Sequence, residues 1–272
     1  MNRITAIFMN KASSIAFAFI GFIFTIVPEN VFGKGFIPCD WSDSTIIIVN
    51  RIITSLAIFV IVNLIYQLYI RKRRYVILED RNIRIKIEYG DLFSYENGLK
   101  VISFDECFNT TVGDRPQDIK AKSVCGQYLI KYPIDNMQEL IECAGIQSNG
   151  QSRFNRLPKY KSGLIIPRDN FLLMSFTRLN QQGLGEMTYT QYLECLQTLW
   201  EQIDIYHGTK DVYVPVLGSQ IVRFDRDLTQ QELLDIMISS YRLSPKRLRR
   251  PYTLHIVCRK RDGFSINDVF GL

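Results

Sequence analysis

Only two histidines, His207 and His255, occur in the 272 residues, and none of the six cysteines belongs to a Cys-x-x-Cys pair. Cys39, Cys107, Cys125, Cys143, Cys195 and Cys258 are scattered, so a Cys/His metal cage has no usable spacing. Reduced, mostly buried thiols in a reducing compartment are expected. No Gly-x-Ser-x-Gly elbow is present and no histidine lies near Ser219 in sequence, which argues against a nucleophilic hydrolase. Asp105 and Glu106 are adjacent, and neighbours at a strand end face opposite ways, so they make a poor hydrolytic pair. The chain has no internal repeat and no low-complexity tract. The basic stretch Arg242–Arg250 is flanked only by Tyr241 and Tyr252, short of the interleaved aromatics that a nucleic-acid platform uses. The net charge of +6 fits anionic partners such as lipid head groups, phosphates or nucleic acid, without choosing among them.

What is present is distributed unevenly. Two long apolar runs precede residue 71, and mixed sequence follows. From Ala12 to Val27 no charge interrupts the chain. As helix this run spans roughly 24 Å, short of a hydrocarbon core of about 30 Å. Ile7, Phe8 and Met9 extend it if Lys11 snorkels to the head groups. The second run, Ile52 to Ile70, stops at Arg71-Lys72-Arg73-Arg74, a stop-transfer signal that fixes this end in the cytoplasm. Arg3 and Lys11 put the N-terminus on the same side, so the loop from Pro28 to Arg51, with Cys39 and Trp41, faces outward. A cleaved signal peptide fits less well, because no small-x-small site follows Val27 and a second span comes next. A buried globular hairpin fits less well too, since the Arg cluster is placed for lipid phosphates. Asn63 and Gln67 share one face of the second span, where hydrogen bonds to a neighbouring helix favour assembly of several hairpins. The expectation is a two-helix transmembrane anchor over 1–75, with a cytoplasmic domain over 76–272.

Past Tyr75 the pattern predicts strands at Ile83–Tyr89, Leu99–Phe104, Gly163–Pro167, Phe171–Thr177, Asp211–Val216 and Thr253–Cys258. Several are continuous apolar runs, as strands covered on both faces should be. Two helices are announced by capping boxes, Thr188 with Gln191 and Thr229 with Glu232. Shorter helices are predicted at Ser123–Tyr132 and Asn136–Ala144, and an exposed loop at Gln147–Lys161. Alternating strands and helices imply a mostly parallel, three-layer α/β/α domain. His255 reads as a core or edge histidine within its strand.

In such sheets ligands bind where strands end. Four exits carry suitable residues: Gly90-Asp91-Leu92, the Asp105–Thr111 segment with Asn109, Ser123-Val124-Cys125-Gly126 at a helix start, and Leu217-Gly218-Ser219-Gln220-Ile221. A carboxylate at Asp91 can accept from an exocyclic amine. Backbone N–H groups at a helix start hold anions, and a small-residue turn lets the backbone approach a diphosphate. Taken singly, each exit is also ordinary turn or cap punctuation, and the ordered set carries the weight.

That set resembles a macro domain, the ADP-ribose-binding module. More closely, VISFDECFNTTVGD, KSVCGQYLIKY, NFLLMSFTRLN, YLECLQTLW and VPVLGSQIVRF resemble the diverged macro domain of Thoeris anti-phage effectors, one branch of which carries it behind two transmembrane helices. The resemblance spans roughly residues 80–258. It implies that Asp91 contacts the adenine amine and that Asn109 meets the distal ribose. It places Val124, Cys125 and Gly126 at a first phosphate loop and Gly218, Ser219, Gln220 and Ile221 at a second, with Phe224 packing on adenine or ribose. Gln220 stands where the usual Gly-Ser-Gly has its second glycine, and the paired asparagines of ADP-ribosyl hydrolases are absent. The implied protein is a non-enzymatic sensor with no cofactor and no metal. It binds an ADP-ribose-derived signal, a histidine-conjugated ADP-ribose in this family, made by a partner TIR-domain enzyme from NAD. Binding then drives homo-oligomerisation, disruption of the bacterial inner membrane in which the anchor sits, and abortive infection, with no nucleic acid involved. The alternative is a membrane-tethered ADP-ribosyl hydrolase.

Overall fold

A computed structural model describes residues 3–33, 42–80, 82–219 and 222–269. Cys39, Trp41, Gln220 and Ile221, on which expectations above rest, lie outside the described residues. The chain divides into two compact units, Met1–Arg73 and Arg74–Leu272.

The first unit holds helix α1 (Arg3–Ile26), a 3₁₀ turn at Glu29–Gly33 and helix α2 (Asp43–Lys72). Among the described residues, α2 is the one helix long and apolar enough to cross a membrane, and Lys11–Ile26 within α1 is a shorter apolar helix. Ala12 and Ala16, one turn apart on α1, are buried, and such small side chains let helix backbones approach closely. Phe17 of α1 meets Phe59 of α2 with ring centroids 6.0 Å apart. The stretch expected as outer loop is helical from Asp43 onward, because the apolar run Ile46–Val49 extends α2 and its two polar residues find partners at the turn. Asn50 Nδ2 donates to the Phe32 carbonyl at 2.7 Å, and Arg51 pairs with Glu29 at 3.1 Å. Asn63 spends an amide hydrogen on its own helix, donating to the Phe59 carbonyl at 2.8 Å. Gln67 is exposed on α2.

The second unit is built on a nine-stranded mixed sheet of order β1-β2-β9-β7-β3-β5-β6-β8, with β4 also pairing β5. Its centre comprises five parallel strands: β2 (Ile83–Tyr89), β9 (Leu254–Cys258), β7 (Val212–Pro215), β3 (Leu99–Asp105) and β5 (Phe171–Leu179). β1 (Tyr75–Asp80) runs antiparallel to β2, and β4 (Ile165–Arg168) and β6 (Gly185–Met187) run antiparallel to β5, while β8 (Arg223–Phe224) lies parallel to β6. Alternate residues feed two cores. Leu172, Met174, Leu254 and Ile256 face one side, and Leu173, Phe171 and Val257 face the other. α5 (Tyr189–Tyr206) and α6 (Gln230–Leu243) cover the first with Tyr192, Trp200, Met237 and Tyr241. α3 (Val124–Lys131) and α4 (Met137–Cys143) cover the second with Cys125, Tyr128, Leu129 and Ile141.

Both long helices start at the threonines that the capping pattern marks. At Thr188 and at Thr229 the hydroxyl accepts from the third residue's N–H and that residue's side chain reaches back. The segment 147–161 contains no helix or strand, yet it is not wholly exposed: Ser152 and Tyr160 are buried, and Tyr160 N donates to the Glu106 carbonyl at 2.8 Å.

Candidate functional site

All five central strands run the same way, so their carboxyl ends converge on one rim, and a cavity of ≈ 290 Å³ opens there. Gly90 and Asp91 follow β2, Asp105 ends β3, Thr177 and Leu179 end β5, Val216–Ser219 follow β7, and Arg259 follows β9. A volume of this size sits at the small end of ligand sites, roughly 300–1,000 Å³. A more polar cavity of ≈ 450 Å³ adjoins it, sharing Leu179 and Arg223 as wall.

Asp91 lies on one flank of the first cavity. It caps a single 3₁₀ turn (Leu92–Ser94), its Oδ1 accepting from Phe93 N at 3.2 Å, while Oδ2 takes part in no hydrogen bond among the described residues. On another flank α3 begins. Ser123 Oγ accepts from Gly126 N at 3.0 Å, so that N–H is spent on the cap, and Val124 and Cys125 line the cavity. Gly126 lies outside the lining; a Cβ there would strike the Lys120 carbonyl, so its smallness admits the 120–121 backbone. Burial pushes the Cys125 thiol well above its ordinary value, then Asp105 adds to the shift, so this thiol stays protonated.

The third flank is the turn after β7. Gly218 has φ of +81°, the left-handed region that glycine adopts freely, and a Cβ there would lie 2.8 Å from the Phe224 ring. Ser219 Oγ donates to the Val216 carbonyl at 3.0 Å, and the Ser219 carbonyl accepts from Arg261 at 2.6 Å. Tyr192, fully buried, donates its hydroxyl to the Leu217 carbonyl at 3.2 Å. Phe224 stands behind this turn, edge-on to Tyr192 at 5.4 Å, and lines the neighbouring polar cavity rather than the first.

Asn109 is not among the residues that line either cavity. Its Oδ1 accepts from Thr111 N at 3.1 Å and its N–H donates to Asp105 Oδ1, closing a local turn. Asp105 lines the cavity in this region. Burial raises its carboxyl above the ordinary range and Glu106 adds to that, against the N–H groups of Asn109 and Cys107 that lower it. Arg223, Gln230 and Arg259 also belong to the lining and lie outside the four strand exits named from the sequence. Arg259 was within reach, since it follows Cys258 as Ser219 follows the end of β7. Pro116–Lys120, Gly183 and Leu184 enter from loops, where no periodicity marks them, and Gly185 from the start of β6. Lys120 is held for structure, its Nζ donating to the carbonyls of Gly113, Asp114 and Arg115.

The rim therefore combines a carboxylate at Asp91, a buried carboxyl at Asp105, a helix start and a glycine turn. The family described as "Thoeris protein ThsA, Macro domain" matches residues 85–259. The "Thoeris protein ThsA" of Bacillus amyloliquefaciens (strain Y2) is 28% identical over 194 residues, 67% of this chain and 65% of the relative. The chain thus spans just under two thirds of that relative's length.

Proposed function

Because the chain belongs to the Thoeris ThsA macro-domain family, we propose that it is an anti-phage defence effector whose rim cavity binds an ADP-ribose-type nucleotide. The observation that carries this reading is the pairing of Asp91 with the Gly218 turn around one cavity at the parallel strand ends. Asp91 accepts from the adenine amine, and the N–H groups at Val124, Cys125 and the Gly218 turn hold the diphosphate. The signal is an ADP-ribose derivative, histidine-conjugated, that a TIR-domain partner makes from NAD. The protein senses it and does not turn it over.

Membrane attachment rests on α2, and we extend it to a two-helix anchor with the binding domain cytoplasmic. Ligand binding clusters protomers and disrupts the membrane, ending in abortive infection. This requires that the ligand bind one assembly state better than another, since equal affinity shifts nothing. Asp105 favours a second reading, a membrane-tethered ADP-ribosyl hydrolase, because a carboxyl on the cavity wall whose pKa burial raises can act as a general base. Release of ADP-ribose from an ADP-ribosylated protein would select that reading.

Asp91→Ala is expected to weaken ADP-ribose binding by on the order of 1–3 kcal/mol, the loss for one hydrogen bond to a charged group. Calorimetry on the full chain in detergent reads it. Unchanged affinity would remove Asp91 from the site.

A further inference from the structure

A cluster of buried and half-buried polar side chains sits directly behind the Asp91 turn and makes no part of the cavity wall. Tyr95 closes that turn, and its ring stacks on Tyr213 with centroids 4.3 Å apart and planes inclined by 28°. Tyr213 in turn stacks on His255 at 4.2 Å and 29°. His255 is held from both sides, Nδ1 lying 2.7 Å from Glu88 Oε1 and Nε2 3.4 Å from Asp211 Oδ2. Lys86 Nζ reaches the other oxygen of Glu88 at 2.8 Å. Burial opposes the charge on Glu88, but the hydrogen bonds from Lys86 and His255 hold its carboxyl below the ordinary value.

The geometry links this cluster to the turn at two points. A Cβ on Gly90 would strike the Tyr95 hydroxyl, so the ring packs against the backbone just before Asp91. Gly90 N donates to the Cys258 carbonyl at 3.2 Å, three residues beyond His255 on β9. Asp91 itself is exposed, and its 3₁₀ turn is a single one, with little of its own to fix the carboxylate's direction.

We propose that Tyr95, Tyr213, His255 and Glu88 form a positioning unit that holds the Gly90–Ser94 turn, and through it aims the Asp91 carboxylate at the base edge of a bound adenine nucleotide. The stack of three rings resists shear of the turn, and Glu88 fixes the third ring, His255, from behind. The unit contacts no ligand, so it governs selectivity for the base and leaves the rest of the binding energy alone. The inference rests on the adenine contact assigned to Asp91 under the function proposed above.

The test compares ADP-ribose with inosine diphosphate ribose, in which a carbonyl oxygen replaces the amine, by calorimetry on the full chain in detergent micelles. The wild type is expected to prefer ADP-ribose by about tenfold or more, the factor for one hydrogen bond to a charged group. Asp91→Ala brings the ratio near one. Tyr95→Leu and His255→Gln each cut the ratio at least threefold while leaving the inosine affinity within about twofold of wild type, whereas Tyr95→Phe, which keeps the ring, retains the wild-type ratio. An Asp91→Ala ratio equal to wild type overturns the adenine contact and this inference with it. If Asp91→Ala loses selectivity while Tyr95→Leu and His255→Gln keep it, the inference alone fails. It also fails if both affinities fall in parallel, or if Tyr95→Phe behaves as Tyr95→Leu.

Discussion

Gly218→Glu is expected to lower ADP-ribose affinity at least 100-fold, about 2.7 kcal/mol or more. Two costs add. The left-handed backbone at φ +81° is strained for any residue with a Cβ, at a cost of about 1–3 kcal/mol, and that Cβ would meet the Phe224 ring at 2.8 Å. The carboxylate then brings negative charge to the turn that holds the diphosphate, where repulsion between like charges at close range is stronger against a protein wall than in bulk water. Gly218→Ala separates the two, since it carries the strain without the charge and should lose clearly less affinity. Calorimetry on both variants measures the difference. Equal losses would mean that no anion sits at this turn.

Trp200→Ala is expected to destabilise the second unit by about 3–5 kcal/mol, the range for emptying a large aromatic site in a core. The side chain is 1% exposed, its Nε1 donates to Ser240 Oγ at 3.0 Å, and its ring meets Tyr241 edge-on at 5.0 Å. Removing it leaves a void between α5, α6 and the sheet and orphans one hydroxyl bond. A domain of this size loses roughly 2–4 °C of Tm per kcal/mol, so the transition should fall by about 6–20 °C in differential scanning calorimetry. Leu193→Ala, on the same helix but 37% exposed, should move it by less than a quarter as much. A Trp200→Ala shift no larger than that of Leu193→Ala would contradict the packing described.

What the sequence made legible follows physical range. β2 was expected at Ile83–Tyr89 and lies there, and both capping boxes form as written, because caps and continuous apolar strands depend on neighbours a few residues away. β6 and β8, three and two residues long, leave no pattern in the sequence, since pairing with β5 and with each other defines them. β1 has no strand signal of its own in the sequence, because Tyr75–Asp80 directly follows the Arg cluster and is defined by its register with β2. In the first unit, Asn50 and Arg51 looked like the end of a loop until partners at Phe32 and Glu29 showed how a helix accommodates them.

The site shows the same division. The strand-exit rule led to Asp91, Val124, Cys125, Gly218 and Ser219, and these five line one cavity. Asn109 had the right residue type at the right exit, but its amide closes a turn with Thr111, a local competition that side-chain chemistry alone does not resolve. Phe224 lies one layer back, buttressing Gly218. Asp105, at the head of the Asp105–Thr111 exit, lines the cavity where Asn109 does not, while Arg259 reaches the rim through the pairing of β9 with β7 and Arg223 through that of β8 with β6, contacts far apart in sequence.

The central claim is that the cavity at the carboxyl ends of the parallel strands holds an ADP-ribose-type nucleotide with its base beside Asp91. Photolabelling the full chain with 8-azido-ADP-ribose, followed by peptide mapping, measures that placement. The account predicts saturable labelling that unlabelled ADP-ribose displaces, on the peptide carrying Gly90–Phe93. Displaceable labelling confined to the opposite end of the sheet, such as Arg242–Arg250, or no displaceable labelling at all, would contradict it.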